Sequence, residues 1–289
     1  MAEGCGGAPE DVVLPLLHIF ILAVVQGLTE FLPVSSSGHL VLVWEYFDRA
    51  GWQVPEQTQS DRLILDVAVH VGTLFAVCLY FWRDIAQIVV GLTRILVGQT
   101  GPGARLAFHV VLASIPLVVA GYLFYLFKDS IAASLRDVQV VAWATIGFGV
   151  LLLIADRTGL TVRRVEHLDA AGAVFIGLMQ VLALIPGTSR SGITMTAARF
   201  LGFERAEAVR FSLLLSIPAI LGAGTLTGID LYRSADAQLG FDALVAAAVA
   251  FVMAFLSIAL MIRWLRRAGF MPFVFYRLFL GAALLIWAA

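Results

Sequence analysis

Gln26-Gly27-Leu28-Thr29-Glu30-Phe31-Leu32-Pro33-Val34-Ser35-Ser36-Ser37-Gly38-His39 interrupts an apolar stretch that otherwise runs from Val12 to Trp44. Pro33 lacks an amide hydrogen and pushes the residue before it out of the helical region, so a helix arriving from Val12 must stop near it. The serines that follow suit a helix start, because a serine hydroxyl accepts from the amides of a new first turn. A second apolar stretch, Leu168–Leu201, is broken in the same manner at Ile185-Pro186-Gly187-Thr188-Ser189-Arg190-Ser191-Gly192. In lipid, backbone groups freed by a break have no water to turn to. Such breaks are tolerated only where they are buried in protein or line an aqueous cavity.

Working outward, the whole chain demands lipid. Its 289 residues are 61% hydrophobic and 13% charged, with a mean hydropathy of +0.94. Soluble domains run about 45–50% apolar and about 25% charged. Segments near Leu63–Trp82, Leu106–Phe127, Val138–Ala155, Phe211–Ile229, Phe241–Ile262 and Phe273–Trp287 have the length and apolarity of full spans. The expected fold is therefore an all-α integral membrane protein, with six transmembrane helices plus two re-entrant helical hairpins in an inverted repeat. It forms a single membrane domain over residues 1–289. One half covers 1–155 with its hairpin at 12–44, and the other covers 168–289 with its hairpin at 168–201.

Cytoplasmic loops hold the Lys and Arg excess. With both termini outside, the inner loops take Arg83, Arg94, Arg105, Arg157, Arg163, Arg164, Arg199, Arg205, Arg210, Arg263, Arg266 and Arg267. The outer loops take Arg49, Arg62, Lys128, Arg136 and Arg233, while Arg190 and Arg277 fall inside membrane segments. The two hairpins then enter from opposite sides and their tips meet near mid-bilayer. A net charge of −1 gives no field for nucleic acid, so no nucleic-acid partner is expected. Cys5 and Cys78 have no CxxC neighbour and are not expected to pair. The segment before Val12 has acids but no Lys or Arg, the wrong charge for a secretory signal, so the first apolar run is expected to be retained.

Chemistry concentrates at the breaks. Gln26 and Glu30 share one helix face and suit a hard divalent cation, Mg²⁺ or Ca²⁺, whose other ligands would be water and phosphate. An ionisable residue inside a span costs at least ~2.5 kcal/mol to insert and is a functional candidate by default. Arg190, among hydroxyls at a helix start, is a fork of donors matched to phosphate oxygens, and the amides behind it form an anion site. The plainer reading is a capped break whose Glu30 and Arg190 neutralise each other. Both readings hold together if the ion pair opens for a phosphate. Asp66 and His70, one turn apart in a span, are secondary candidates for the same cavity, with Asp66 the stronger because it too is charged within a span. His18 and His109 read as packed or interfacial, and His167 as a loop residue.

The QGLTEFLPVSSSGH and PGTSRSGIT segments resemble the two signature motifs of the bacterial undecaprenyl-diphosphatase (bacitracin-resistance) family, and the similarity extends to DVAVHVGTLFAVCLYFW, RFSLLLSIPAI and FVFYRLFLG. The resemblance implies a phosphatase of the bacterial plasma membrane whose lipid substrate is undecaprenyl diphosphate. Such an enzyme recycles the carrier for peptidoglycan and is tied to bacitracin resistance. It further implies Gln26 and Glu30 as metal ligands and Glu30, Ser36, His39 and Arg190 as catalytic residues. Ser35, Ser37, Thr188, Ser189, Ser191 and Thr194 become the substrate-binding set. Many family members have Glu at the position of Gln26, and the amide offers the cation one unit less negative charge. The nucleophile is left open between Ser36, His39 and water, and a homo-oligomer is left open too.

Three rivals stand beside this. A polyprenyl-phosphate or anion transporter shares the broken helices and the mid-membrane anion site. An intramembrane serine hydrolase lacks its GxSxG elbow here. The membrane phosphatase class with PSGH and SR(x5)H motifs needs a second histidine where this chain has Thr196.

Overall fold

Pro33 and Pro186 set the course of the chain. The computed structural model describes residues 10–49, 59–127, 137–234 and 237–288. Before the first break lies α1 (Glu10–Thr29), and after it α2 (Ser36–Arg49); α3 (Gln59–Tyr80), α4 (Trp82–Leu96), α5 (Pro102–Leu126) and α6 (Val138–Thr158) follow. The second break separates α7 (Ala170–Val181) and a short 3-10 turn, Leu182–Leu184, from α8 (Arg190–Phe200). The chain then continues through α9 (Arg205–Ser234), α10 (Ala237–Leu265) and α11 (Met271–Ala288). Among the described residues there is no strand, and a single bridge joins Arg163 to Phe203.

The protein is a multi-pass membrane protein. Pro102–Leu126, Val138–Thr158, Gly240–Leu265 and Met271–Ala288 are each long and apolar enough to cross a bilayer. Ile64–Tyr80 with Trp82–Leu96 qualifies as a fifth span only as a pair bent by 87°. The expected span Phe211–Ile229 lies within α9, whose side chains at 223–234 fall outside the described residues.

The bend corrects one expectation. The stretch after Trp82, read as an inner loop because Arg83, Asp84 and Arg94 break its hydropathy, is the helix α4. It places Gly91 against α5, where a Cβ would lie 2.2 Å from the Gly103 carbonyl oxygen, and it leaves Val89, Val90, Leu92 and Ile95 exposed. An amphipathic helix of this kind suits the membrane interface rather than the span.

Packing ties both broken segments into the bundle. α10 lies against α1 and α3, α5 against α7 and α9, α6 against α11, and α8 against α6 and α9. Two contacts need glycine for backbone approach. A Cβ on Gly72 would sit 2.1 Å from the Ala247 carbonyl oxygen, and one on Gly177 would sit 2.5 Å from that of Ala113. Helices without a hydrophobic drive between them associate by such close approach. Phe31, inside the first break, and Met195, just after the second, belong to the same buried apolar cluster.

At one end of the bundle, charged loops knit the helices together. Arg210 contacts Asp84 at 2.5 Å and Glu166 and Glu207 at 3.3 Å each. Burial by itself would lower the pKa of this guanidinium, but the three carboxylates outweigh it and hold the pKa above the ordinary arginine value.

Candidate active site

Each break ends on a serine with a backbone that serines rarely adopt. Ser35 has φ 75° and Ser189 φ 70°, left-handed values that cost of order 1 kcal/mol for a residue with a Cβ. In each case the hydroxyl then caps the helix it opens. Gly38 N donates to Ser35 Oγ at 3.3 Å, and Gly192 N donates to Ser189 Oγ at 3.1 Å. The turns are thus built alike, from Ser-x-x-Gly, and they deliver Ser36 and Arg190 to equivalent positions on α2 and α8.

The breaks meet at Glu30. Its Oε2 accepts from Gln26 Nε2 at 2.7 Å and from Ser36 Oγ at 2.8 Å. Its Oε1 accepts from Arg190 Nη2 at 2.9 Å. The ion pair is sheltered, with the Arg190 side chain 16% exposed and that of Glu30 5%. Ser191 Oγ donates across the junction to the Leu32 carbonyl at 3.0 Å and lies 3.1 Å from Ser189 Oγ. Thr194 Oγ1 donates to the Arg190 carbonyl at 2.9 Å and contacts Ser212 Oγ at 2.6 Å, which ties the α8 start to α9. Gln26, Glu30, Ser35, Ser36, Thr188, Ser189, Arg190, Ser191 and Thr194 are therefore brought into one junction. The Ser37 side chain lies outside the described residues.

Several polar atoms here are buried without a partner: Arg190 Nη1, Gln26 Oε1 and Thr188 Oγ1. Buried polar groups are nearly always bonded, so a donor, an amide oxygen and a hydroxyl left open in one junction are the atoms to which a polar ligand or water would bond. Gln26 turns its Nε2 to Glu30, and with the amide rotated its Oε1 would stand beside the carboxylate, an oxygen donor pair of the kind a hard divalent cation takes. Among the described residues no three His, Cys, Asp or Glu side chains converge as a metal cage. The protein would thus provide two oxygen ligands, with phosphate and water providing the rest.

His39 points elsewhere. Its Nδ1 lies 2.6 Å from the Ser35 carbonyl, which accepts only, so Nδ1 carries the proton. Its Nε2 then accepts from Tyr276 Oη at 2.5 Å, and the two rings stack with centroids 5.7 Å apart. Among the described residues no hydrogen bond joins His39 to Ser36 or Glu30. The acceptor in place for the Ser36 proton is Glu30.

Three further residues reach the junction, the first of them the secondary candidate His70 and the other two absent from the sequence-derived set. His70 Nε2 stands 3.7 Å from Glu30 Oε2, while its Nδ1 is held by the Asp66 carbonyl at 2.6 Å. The sequence favoured Asp66 over His70 for the cavity. The Asp66 carboxylate accepts from Trp44 Nε1 at 3.1 Å, and it is His70 that faces Glu30. Tyr276 is the second. The third is Arg277, almost fully buried on α11, which donates to carbonyls on three elements: Pro33 of the first break at 3.2 Å, Gly187 and Thr188 of the second at 3.0 and 2.9 Å, and Thr145 of α6 at 3.0 Å. It satisfies the carbonyls that the breaks set free. Its signal in the sequence was its charge within a span. The other histidines match expectation: His18 packs on Phe47 with ring centroids 4.3 Å apart, and His109 is buried. Cys78 is a free thiol, and Cys5 lies outside the described residues.

Comparison with known proteins finds relatives along nearly the whole chain. The family model described as bacitracin resistance protein BacA matches residues 19–283. Undecaprenyl-diphosphatase 1 of Rhodospirillum rubrum is 52% identical over 270 residues, which is 93% of this chain and 94% of the relative. Undecaprenyl-diphosphatases of Alteromonas mediterranea and Ruegeria pomeroyi are 48% and 47% identical, each covering 94% of this chain and 98% of the relative.

Proposed function

Because the chain belongs to the bacitracin resistance protein BacA family, we propose that it is an undecaprenyl-diphosphatase, converting undecaprenyl diphosphate to undecaprenyl phosphate and inorganic phosphate. In this role it recycles the lipid carrier for peptidoglycan and related envelope polymers, and the family name carries the link to bacitracin. The observation that carries the reading is Arg190 at the start of α8. One guanidinium nitrogen is held by Glu30 and the other is buried and unbonded, beside the amides of a helix N-terminus.

Phosphoryl transfer needs in-line placement of nucleophile and leaving group, and neutralised charge on the phosphate oxygens. Arg190 Nη1 and the first amides of α8 grip the terminal phosphate, with Thr188 Oγ1 as a further donor. Ser36 Oγ attacks that phosphorus while Glu30 Oε2, already its hydrogen-bond acceptor, takes the proton. The bridging anhydride oxygen leaves with undecaprenyl phosphate, and water then frees phosphate from Ser36. A divalent cation held by Glu30 and the Gln26 amide oxygen would supply further neutralisation of the diphosphate charge. Mass-spectrometric mapping of trapped phosphate tests the nucleophile. Phosphate on His39 would replace Ser36 in this scheme, and phosphate on neither would leave direct attack by water.

The proposed topology is six spans with two hairpins entering from opposite faces of the bacterial plasma membrane, in an inverted repeat with both termini outside. Supporting it, Gln26 precedes Ser35 by the same interval as Gln180 precedes Ser189, and both glutamines are buried. The packing of α1 and α3 on α10 parallels that of α7 and α9 on α5. Single cysteines at Arg49 and Arg164, in a chain freed of its own two, should react with an impermeant reagent from opposite sides. Labelling from one side would overturn this arrangement.

The same repeat favours a second reading, in which the junction carries the lipid phosphate across the bilayer. Phosphate release by detergent-purified protein with Mg²⁺, lost in Arg190→Ala, decides for hydrolysis. Intact undecaprenyl diphosphate after incubation with folded protein decides against it.

A further inference from the structure

Three arginines, Arg263, Arg266 and Arg267, close α10. At the same end of the bundle Arg210 meets Asp84, Arg164 meets Glu204, and Arg199 and Arg205 share Asp156. Phe270, in the turn after α10, donates its amide to that same Asp156 at 3.2 Å. Yet among the described residues no carboxylate pairs with Arg263, Arg266 or Arg267, which are all exposed. Together with Tyr80, Ala259 and Ile262 they line a cavity of about 350 Å³. The wall is therefore cationic on one side and apolar on the other. Trp264, half exposed between the arginines with its Nε1 donating to the Gly269 carbonyl at 3.1 Å, is the residue type that settles at the headgroup level.

A topology signal alone explains charge in this loop but not a cavity around it. Placing three like charges within about one turn costs repulsion that an anion would relieve. We propose that this cavity binds the phosphate headgroup of an anionic phospholipid, with the guanidiniums on the phosphate oxygens and the glycerol and first acyl carbons against Tyr80, Ala259 and Ile262. Basic pockets at the ends of spans on the arginine-rich side are suited to this ligand class. Inorganic phosphate offers the same oxygens without the apolar part, so the mixed wall favours the lipid.

Native mass spectrometry of the purified full chain, delipidated and then given phosphatidylglycerol or phosphatidylcholine, tests the site. The wild-type chain should retain phosphatidylglycerol over phosphatidylcholine by about tenfold or more. The triple variant Arg263→Gln, Arg266→Gln, Arg267→Gln should lose that preference at an unchanged melting temperature. The triple Lys variant, which keeps the charges, should retain most of it. Inorganic phosphate at about 10 mM should leave the lipid bound, because it lacks the apolar contacts. The inference is overturned if the Gln variant still prefers the anionic lipid, if the Lys variant loses it as fully as the Gln variant, or if wild type shows no preference. Displacement of the lipid by inorganic phosphate would make this a free-anion site and overturn it as well.

Discussion

Two buried ion pairs in this protein look alike on paper and differ in how completely they are satisfied. Asp156 and Arg199 join the end of α6 to α8. The Arg199 side chain is 1% exposed, and its terminal nitrogens donate to the carbonyls of Asp156, Gly159, Leu160 and Phe203. The Asp156 carboxylate also accepts from Arg205 and from the Phe270 amide. Glu30 and Arg190 are held by a single hydrogen bond between them, with Arg190 Nη1 left open. A cation bonded through both terminal nitrogens, with its Nε facing a carboxylate at 3.3 Å, is a staple, whereas one with a terminal nitrogen in reserve can let go of its partner and take another. Charge inside a membrane protein is thus no guide to its role until its hydrogen bonds are followed.

That contrast breaks most sharply on activity. Arg190→Ala should lower kcat for phosphate release by about 10²–10³-fold, the usual loss on removing a donor to transition-state charge. Its unfolding midpoint should fall less than that of an Arg199 variant, because Glu30 keeps Gln26 and Ser36 as donors. Near-normal kcat would mean Arg190 is a second staple. Next comes Arg199→Met, which should cost about 3–5 kcal/mol in detergent unfolding and leave the rate per folded molecule unchanged. A stable but inactive Arg199→Met would reverse the assignment of roles. Gln26→Glu places a second carboxylate beside Glu30, and a Mg²⁺ titration should reach half-maximal rate at about tenfold less cation. An unchanged or rightward-shifted titration would argue against Gln26 as a ligand. The smallest change is expected from Tyr276→Phe. It keeps the stacked ring and removes one hydrogen bond to His39, worth ~1 kcal/mol, and because Glu30 rather than His39 takes the Ser36 proton, kcat should stay within about twofold. A several-fold drop at constant KM would bring His39 into the chemistry.

The breaks were legible in the sequence because their chemistry is local: Pro33 and Pro186 stop helices, and Ser35 and Ser189 restart them within a few residues. Glu30 and Arg190 stood out through the energetic cost of charge in a span. The helix α4 was hidden because its charges lie on one face, which lowers hydropathy without lowering helicity. Arg277 and Tyr276 escaped for another reason. Their partners, Pro33, Gly187, Thr188 and His39, lie far away in the chain, and backbone carbonyls carry no identity that a sequence could match to an arginine. The same holds for His70, whose spacing from Asp66 revealed a shared face but not that the face turns toward Glu30.

Arg277 has one more consequence. Glu30 and Arg190 cancel, while Arg277 rests on carbonyl dipoles alone, with no carboxylate paired to it among the described residues. The junction therefore holds a surplus of one positive charge in a medium that screens poorly. Electroneutrality is restored when an anion arrives, so occupancy and folding are thermodynamically linked. Orthovanadate or inorganic phosphate should raise the melting temperature of the wild-type protein in a dose-dependent way, and Arg277→Met should flatten that response. Read in this light, the diphosphate is both the substrate and the missing counter-ion of the bundle.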